Sequence, residues 1–459
     1  IEGGFDVKSS WIRRISLLTI MALLFAVSAT QAAGVTLQIT ANAVKGGKNT
    51  QDAEWIERII PEFESEMKAQ GRDVKVQFLP AGIQDEDYKA RLALDIKGGG
   101  GPDVIAFDHF WVPEFAEAKF LMPIDNYLKS WPEWGQYFDS MKAMGSFKGK
   151  TYLIMGGTDV RMIYYNKELF KKAGIPVPWQ PKDWNELLAA CRIIKQKLPG
   201  VTPIQLNAGV EMGEATSMQG FYMALQATGG WIYNWNTGKW IVKSPGLLDA
   251  LNLYKTIYVD EKLGDAMLQV SPKARDKSFA LYQAEKTAMY VEGAWMWSSV
   301  IAPSGAWGIP DRDARIGWAA FPGSGKPGAP PIASVSGGTG WVINPNTKNP
   351  DLAFQLLAKL NSAQARIDYW LKKPGIPPRK DLADAPEVKA DPFISETTKK
   401  LVPYTTYRPG SPLYPEVSYQ VQLMTERVVT GQMTPEQALD AYAKAVAEIA
   451  GDANVEIMK

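Results

Sequence analysis

This sequence predicts an α/β fold, with lobes each built on a mainly parallel sheet flanked by helices, and three observations predict it. Strand-like and helix-like segments alternate in βαβαβ order over 35–108. The alternation resumes after residue 150 with short apolar runs that read as buried strands. At 459 residues the chain exceeds one ordinary core and suits about two to three domains. Yet no single polar boundary divides it, so it is expected to cross between lobes more than once.

The first 33 residues read as an address. Lys8, Arg13 and Arg14 precede a 13-residue apolar run, Ile15 to Val27, and SATQAA follows with small residues. The run falls short of the roughly 20 apolar residues of a spanning helix. Cleavage after Ala32 fits best, and no Cys stands behind it to carry a lipid. The expectation is an exported, freely soluble periplasmic protein.

VTLQIT (35–40) then reads as a strand, and a helix follows from Ala53 with Trp55, Ile56, Ile59, Ile60 and Phe63 on its apolar side. VKVQFLP (74–80) is a second strand and Asp85 to Ile96 a second helix. GGGGPDVIAFD (98–108) is a glycine turn running into a buried strand. Ligands of such sheets sit beyond the carboxyl ends of the strands, here the 41–51 loop, the residues after Phe78, and Asp108-His109-Phe110-Trp111. KTYLIMGG (150–157) and RMIYYNK (161–167) continue the pattern. A helix from Asp183 has Glu186 placed for a capping box. Helices are expected over 214–228, 245–259, 273–286 and 351–373. The last runs from Thr434 to Ala450 and opens TPEQ, an N-cap followed by Pro at the first helical position.

Composition narrows the function. Lys plus Arg is 50 and Asp plus Glu is 49, a net charge of +1, so nothing calls for nucleic acid or an anionic membrane. The lone His109 excludes histidine clusters for metals and leaves a serine triad one possible base. The lone Cys191, on the apolar side of its helix, reads as core rather than nucleophile. No cofactor or metal is expected. Aromatics are plentiful: 16 Trp, 18 Tyr and 16 Phe. Many Trp lie in loop-like contexts, GGWIYNW (229–235) and EGAWMWSS (292–299), which suits a ligand surface as well as a large core. Two motifs mislead. GSGKPG (323–328) has Pro where a phosphate loop needs Ser or Thr, and the tetraglycine at 98–101 precedes its strand instead of following it.

The order of the longer segments resembles the extracellular solute-binding proteins of ABC importers, in the carbohydrate-binding branch with the maltose- and trehalose/maltose-binding proteins. The likeness is carried by GGGGPDVIAFDHFWVPEFAEAKFLMPIDNYL (98–128), GKTYLIMGGTDVRMIYYNKELFKKAGI (149–175) with the PKDWNELLAACRIIK that follows, and KSFALYQAEKTAMYVEGAWMW (277–297). IGWAAFPGSGKPG, SGGTGWVINPNTKNPDLAFQLLAKL, GIPPRKDL and YPEVSYQVQLMTERVVTGQMTPEQALDAYAKAV extend it over nearly all of the chain after the signal. The resemblance implies a two-lobed periplasmic-binding-protein fold that closes by hinge bending, with lobe one at 34–156 plus 324–388 and lobe two at 157–322 plus 389–459. It implies a monomer without enzymatic activity that captures a sugar or glycoside and delivers it to an ABC permease.

A sugar needs carboxylates, amides or Arg for its hydroxyls and aromatic faces for its ring. By resemblance Asp108 is a ligand carboxylate; by its position it is equally an N-cap. Trp111 is a stacking wall or a lid on the following helix. Asp159, beside the expected hinge, matches a hydroxyl-binding carboxylate, against a structural turn Asp. Arg161 departs from the family pattern and either pairs with Asp159 or reads an anionic group on the ligand, which keeps a phosphorylated or sulfonated glycoside, or a polyol, open as the alternative. Trp295 matches the aromatic platform, with Trp297 as core. Gly338 and Thr339, after Gly337, offer close backbone approach or a tight turn. Arg379 matches a ligand-reaching arginine, against a solvated charge. Tyr414, with Tyr407 and Arg408, lies in a Pro-rich loop aimed at the cleft; Glu211, Glu214 and Trp231 are weaker candidates. A secreted glycosidase is a remote alternative, since no acid pair stands out.

Overall fold

The computed structural model describes residue 1 and residues 34–371, 373 and 375–458. The signal segment, apart from its first residue, therefore lies outside the described residues. The chain forms two α/β lobes. In lobe one the sheet runs Val74–Pro80, Val35–Ala41, Val104–Asp108, Thr339–Ile343, Leu153–Met155. In lobe two it runs Ile316–Ala319, Arg161–Asn166, Thr287–Gly293, Thr202–Gln205.

These sheets are mixed rather than mainly parallel. The first three strands of lobe one are parallel, but Thr339–Ile343 is antiparallel to both neighbours. In the four-stranded sheet of lobe two, Thr287–Gly293 and Thr202–Gln205 are the neighbours that pair in parallel. The cause is the crossing of the chain. A strand arriving directly from the other lobe enters at the hinge end and points away from it, opposite to strands whose carboxyl ends reach the crevice. It needs no crossover helix.

Three crossing segments lie side by side. Gly156 N–H donates to the Thr339 carbonyl (2.9 Å) and Thr158 N–H to the Ile376 carbonyl (3.1 Å). The Thr158 hydroxyl donates to the Gly337 carbonyl (2.8 Å). Beyond the return expected at 324, Ile332–Val335 still pairs with Phe321–Pro322 and Thr405–Thr406.

Local chemistry sets the helix starts. Asn166 accepts from the N–H groups of Glu168 (2.9 Å) and Leu169 (3.0 Å), starting the helix Lys167–Ala173. Asp183 accepts from Glu186 N–H (3.0 Å), while the Glu186 carboxylate reaches Lys182 N–H instead of closing the expected box. At Thr434 the reciprocal box with Gln437 is complete. The stretch expected as one helix at 351–373 is two, Pro350–Leu360 and Ala363–Trp370, the second capped by Ser362. Among the described residues no helix is long and apolar enough to cross a membrane.

Leu37, Ile56, Phe63, Trp341 and Leu357 fill lobe one. The largest apolar cluster continues across the hinge, joining Phe107, Phe110 and Trp111 of lobe one to Ile163, Val291 and Tyr414 of lobe two.

Candidate binding crevice between the lobes

The candidate crevice is the seam where Val104–Asp108 and Thr287–Gly293 end and where Arg161–Asn166 and Thr339–Ile343 begin. Thr339 pairs in register with Asp108, and Arg161 with Gly293. Around this seam the structure gathers Asp108, His109, Asp159, Arg161, Gly337 and Thr339 with Glu214, Arg408 and Tyr414.

Asp108 caps the turn His109–Trp111, accepting from Phe110 N–H (3.4 Å). The same Oδ1 accepts from Arg408 Nη2 (2.8 Å) and lies 3.1 Å from His109 Nδ1. The cap reading of Asp108 therefore holds, and its carboxylate stays a quarter exposed. Burial alone would raise its pKa, but Arg408 and His109 outweigh it and hold the carboxyl below its ordinary range. Asp159 accepts from Arg161 Nη1 and from Gly337 N–H (2.7 Å), while Arg161 also donates to the Val335 carbonyl (3.0 Å). Of the two readings of Arg161, the structure has the internal ion pair.

Glu214 is the partner on lobe two, its side chain a fifth exposed. It accepts from the Tyr414 hydroxyl (2.5 Å), the Ser418 hydroxyl (2.6 Å) and Arg408 Nη1 (3.3 Å). Burial raises its pKa, against the opposing pull of Arg408 and the two hydroxyls. A second pair lies further along. Glu292, at the end of its strand, accepts from Gly293 N–H (2.9 Å) and Arg275 Nη2 (3.4 Å), and burial raises its pKa too. The Arg275 guanidinium lies 4.9 Å from the ring centroid of Trp295, which stays partly exposed. Trp295 and Trp297 do not share a face, since the chain turns helical at Met296–Val300. Trp297 stacks 4.9 Å from Phe393 and packs, partly buried, against the core.

Several candidates lie elsewhere than the sequence suggested. Trp111 is a lid, buried among Tyr88, Phe107 and Phe110, and cannot offer a stacking face. Arg379 is 1% exposed. It donates to Glu133, to Asp381 (3.0 and 2.6 Å) and to the Asn361 carbonyl (2.7 Å), so it is neither a solvated charge nor a free ligand arm. Tyr414 is buried behind Glu214. Gly338 presents no free carbonyl, which accepts from both His109 N–H (3.2 Å) and His109 Nδ1 (3.0 Å). Thr339 remains exposed at the crevice edge. Tyr407 is exposed and packs on Trp235, and Glu211 accepts from Lys273 N–H. Trp231 packs on Tyr222. Sequence reasoning passed over Arg275 and Glu292. The signal for Glu292 was present: a carboxylate inside the otherwise apolar strand TAMYVEG implies a buried charge needing a partner.

A family of bacterial extracellular solute-binding proteins matches residues 47–367. A putative binding protein of Brucella abortus is 25% identical over 424 residues, covering 90% of this chain and 96% of the relative. The sn-glycerol-3-phosphate-binding periplasmic protein of Escherichia coli is 22% identical over 394 residues, 81% of this chain and 84% of that one. Among solved structures, an ABC transporter solute-binding protein from Thermotoga lettingae bound with α-D-tagatose superimposes with a TM-score of 0.75 at 28% identity, covering 91% of this chain and 100% of that one.

Proposed function

Because the chain belongs to the bacterial extracellular solute-binding proteins, we propose that it captures a neutral sugar or small oligosaccharide between its lobes and delivers it to the membrane permease of an ABC importer. The signal-like segment supports capture in the periplasm. The observation that carries the neutral ligand is the pairing of charges at the crevice. Three guanidinium groups, Arg161, Arg275 and Arg408, face four carboxylates, Asp159, Glu292, Asp108 and Glu214. Such pairs donate and accept at fixed angles, as hydroxyl fans require. Trp295 adds the apolar surface a sugar ring needs.

The charged-ligand alternative loses its motive. It leaned on Arg161 and Arg379, and both are bound to carboxylates of this chain. A phosphate brought beside Arg161 would stand against Asp159, which already holds that guanidinium. The bound tagatose of the Thermotoga structure favours a neutral guest, although the Escherichia coli relative is named for a phosphorylated one.

Isothermal titration tests the reading with maltose, trehalose and tagatose against glycerol 3-phosphate and trehalose 6-phosphate. The expected result is saturable heat with a neutral sugar and at least about tenfold weaker binding of the phosphates, ~1.4 kcal/mol. Preference for a phosphate would reverse the assignment of ligand class.

A further inference from the structure

Arg408 lies in lobe two but spends most of its contacts on lobe one. It follows Thr405–Thr406, paired to Ile332–Val335, and precedes the lobe-two helix Tyr414–Val429. On its own side it meets Glu214 (3.3 Å). Across the seam it donates to Asp108 (2.8 Å), lies 3.4 Å from His109 Nδ1, and its guanidinium sits 3.8 Å from the Phe110 ring centroid. It is 4% exposed.

We propose that Arg408 is a clasp between the lobes, a positioning residue that sets how far the crevice stands closed before any solute arrives. The clasp rests on the reading above only in requiring that the lobes move. When they part, Asp108 and Phe110 leave with lobe one, and Arg408 keeps Glu214 alone. Two other bonds across the seam are longer. The Ser299 hydroxyl donates to the Gln51 carbonyl (3.2 Å), a neutral bond, and Glu214 N–H donates to Glu86 at 3.3 Å. Among the described residues Arg408 alone joins a charge-assisted bond to a cation–π contact across this seam, in a water-poor setting where each is strongest. Asp108 also sits beside the hinge, in register with Thr339, so the pull acts on the crossing strands directly. A residue favouring the closed form raises apparent affinity by raising the competent fraction, over and above any contact it makes with the solute.

Spin labels read the lobe separation without any ligand. Leu94→Cys on lobe one and Met267→Cys on lobe two are both highly exposed, and the native Cys191 is buried away from the label. Pulsed dipolar distances in the unliganded full chain are expected to show a majority short distance. Arg408→Gln should shift the open-to-closed ratio about tenfold, Asp108→Asn should shift it in the same direction, and the double variant should open no further than Arg408→Gln alone. Arg408→Lys, keeping the charge but losing the fork, should fall between. Distances unmoved by Arg408→Gln, or effects of the two single changes that simply add, overturn the clasp. If Arg408→Gln fails to fold, the partly exposed Asp108→Asn decides alone, supporting the clasp by opening the lobes and overturning it by leaving them closed. Sugar capture fails separately: calorimetry with maltose, trehalose and tagatose then shows no heat while the distances still respond to Arg408→Gln.

Discussion

A Cβ at Gly338 would stand 2.4 Å from the Gly157 carbonyl oxygen, with the backbone at φ 156°. The crossing strands can run side by side only because that atom is missing. Gly338→Ala should therefore cost about 2 kcal/mol or more of stability, read by urea unfolding, and an unchanged midpoint would refute the close-packing account. At Gly337 a Cβ would come 3.2 Å from an Arg408 Nη and 3.3 Å from an Arg161 Nη, so Gly337→Ala should disturb the paired charges and weaken solute binding more than stability. Asp108 carries a pH signature. Its folded carboxyl titrates below its ordinary value, so the ionised group stabilises the fold above about pH 4, and that contribution is lost as pH falls through the depressed folded pKa. Asp108→Asn should thus be less stable than the native chain near neutrality, with the gap closing in acid. Of these residues the sequence disclosed the types but not the partners. Asp159 and Arg161 are two apart and their pairing was readable. Asp108 and Arg408 are 300 apart, and only the folded seam brings them together. Arg379 has one near partner, Asp381, two positions on, but the Glu133 that completes its burial lies 246 positions away, a distance no local pattern reports.

Elements whose starts are fixed by local hydrogen bonds were legible. Thr434, Pro435 and Gln437 spell out the beginning of the last helix, and the structure has the full reciprocal cap there. Thr434→Ala should cost about 1 kcal/mol, measurable as a lower urea midpoint, while leaving sugar affinity unchanged because the helix Pro435–Ala450 packs away from the crevice against Tyr414–Val429. A loss of affinity in that variant would mean that the last helix helps to shape the site. What stayed hidden was strand direction. Thr339–Ile343 has the apolar run of a buried strand, and the same run serves a parallel or an antiparallel neighbour; which one follows depends on the lobe from which the chain arrives. The break near Asn361 was hidden for a related reason. Ser362 acts as a cap only because Ala363–Trp370 turns back toward Trp55, whose indole donates to the Ala365 carbonyl (3.0 Å).

For the molecule as a whole, two lobes do not imply two folding units. Three crossings tie the halves, and the apolar cluster that holds Phe107, Phe110 and Trp111 in lobe one continues through Ile163 to Val291 and Tyr414 in lobe two. Neither lobe closes its core on one continuous stretch of chain, so each needs segments delivered by the other before its sheet is complete: lobe one lacks Thr339–Ile343 until the chain has passed through lobe two. Local opening that separates the halves completely would expose that shared apolar seam, at about 25 cal/mol for each Å² uncovered. Cooperativity across the hinge is the consequence. Scanning calorimetry should give one transition whose van't Hoff and calorimetric enthalpies agree, and a saturating neutral sugar should move that single peak upward, by about 2.7 kcal/mol of added stability at a hundred times its dissociation constant. Two resolved peaks, with only one responding to sugar, would mean that the halves fold independently and that the crevice belongs to one of them.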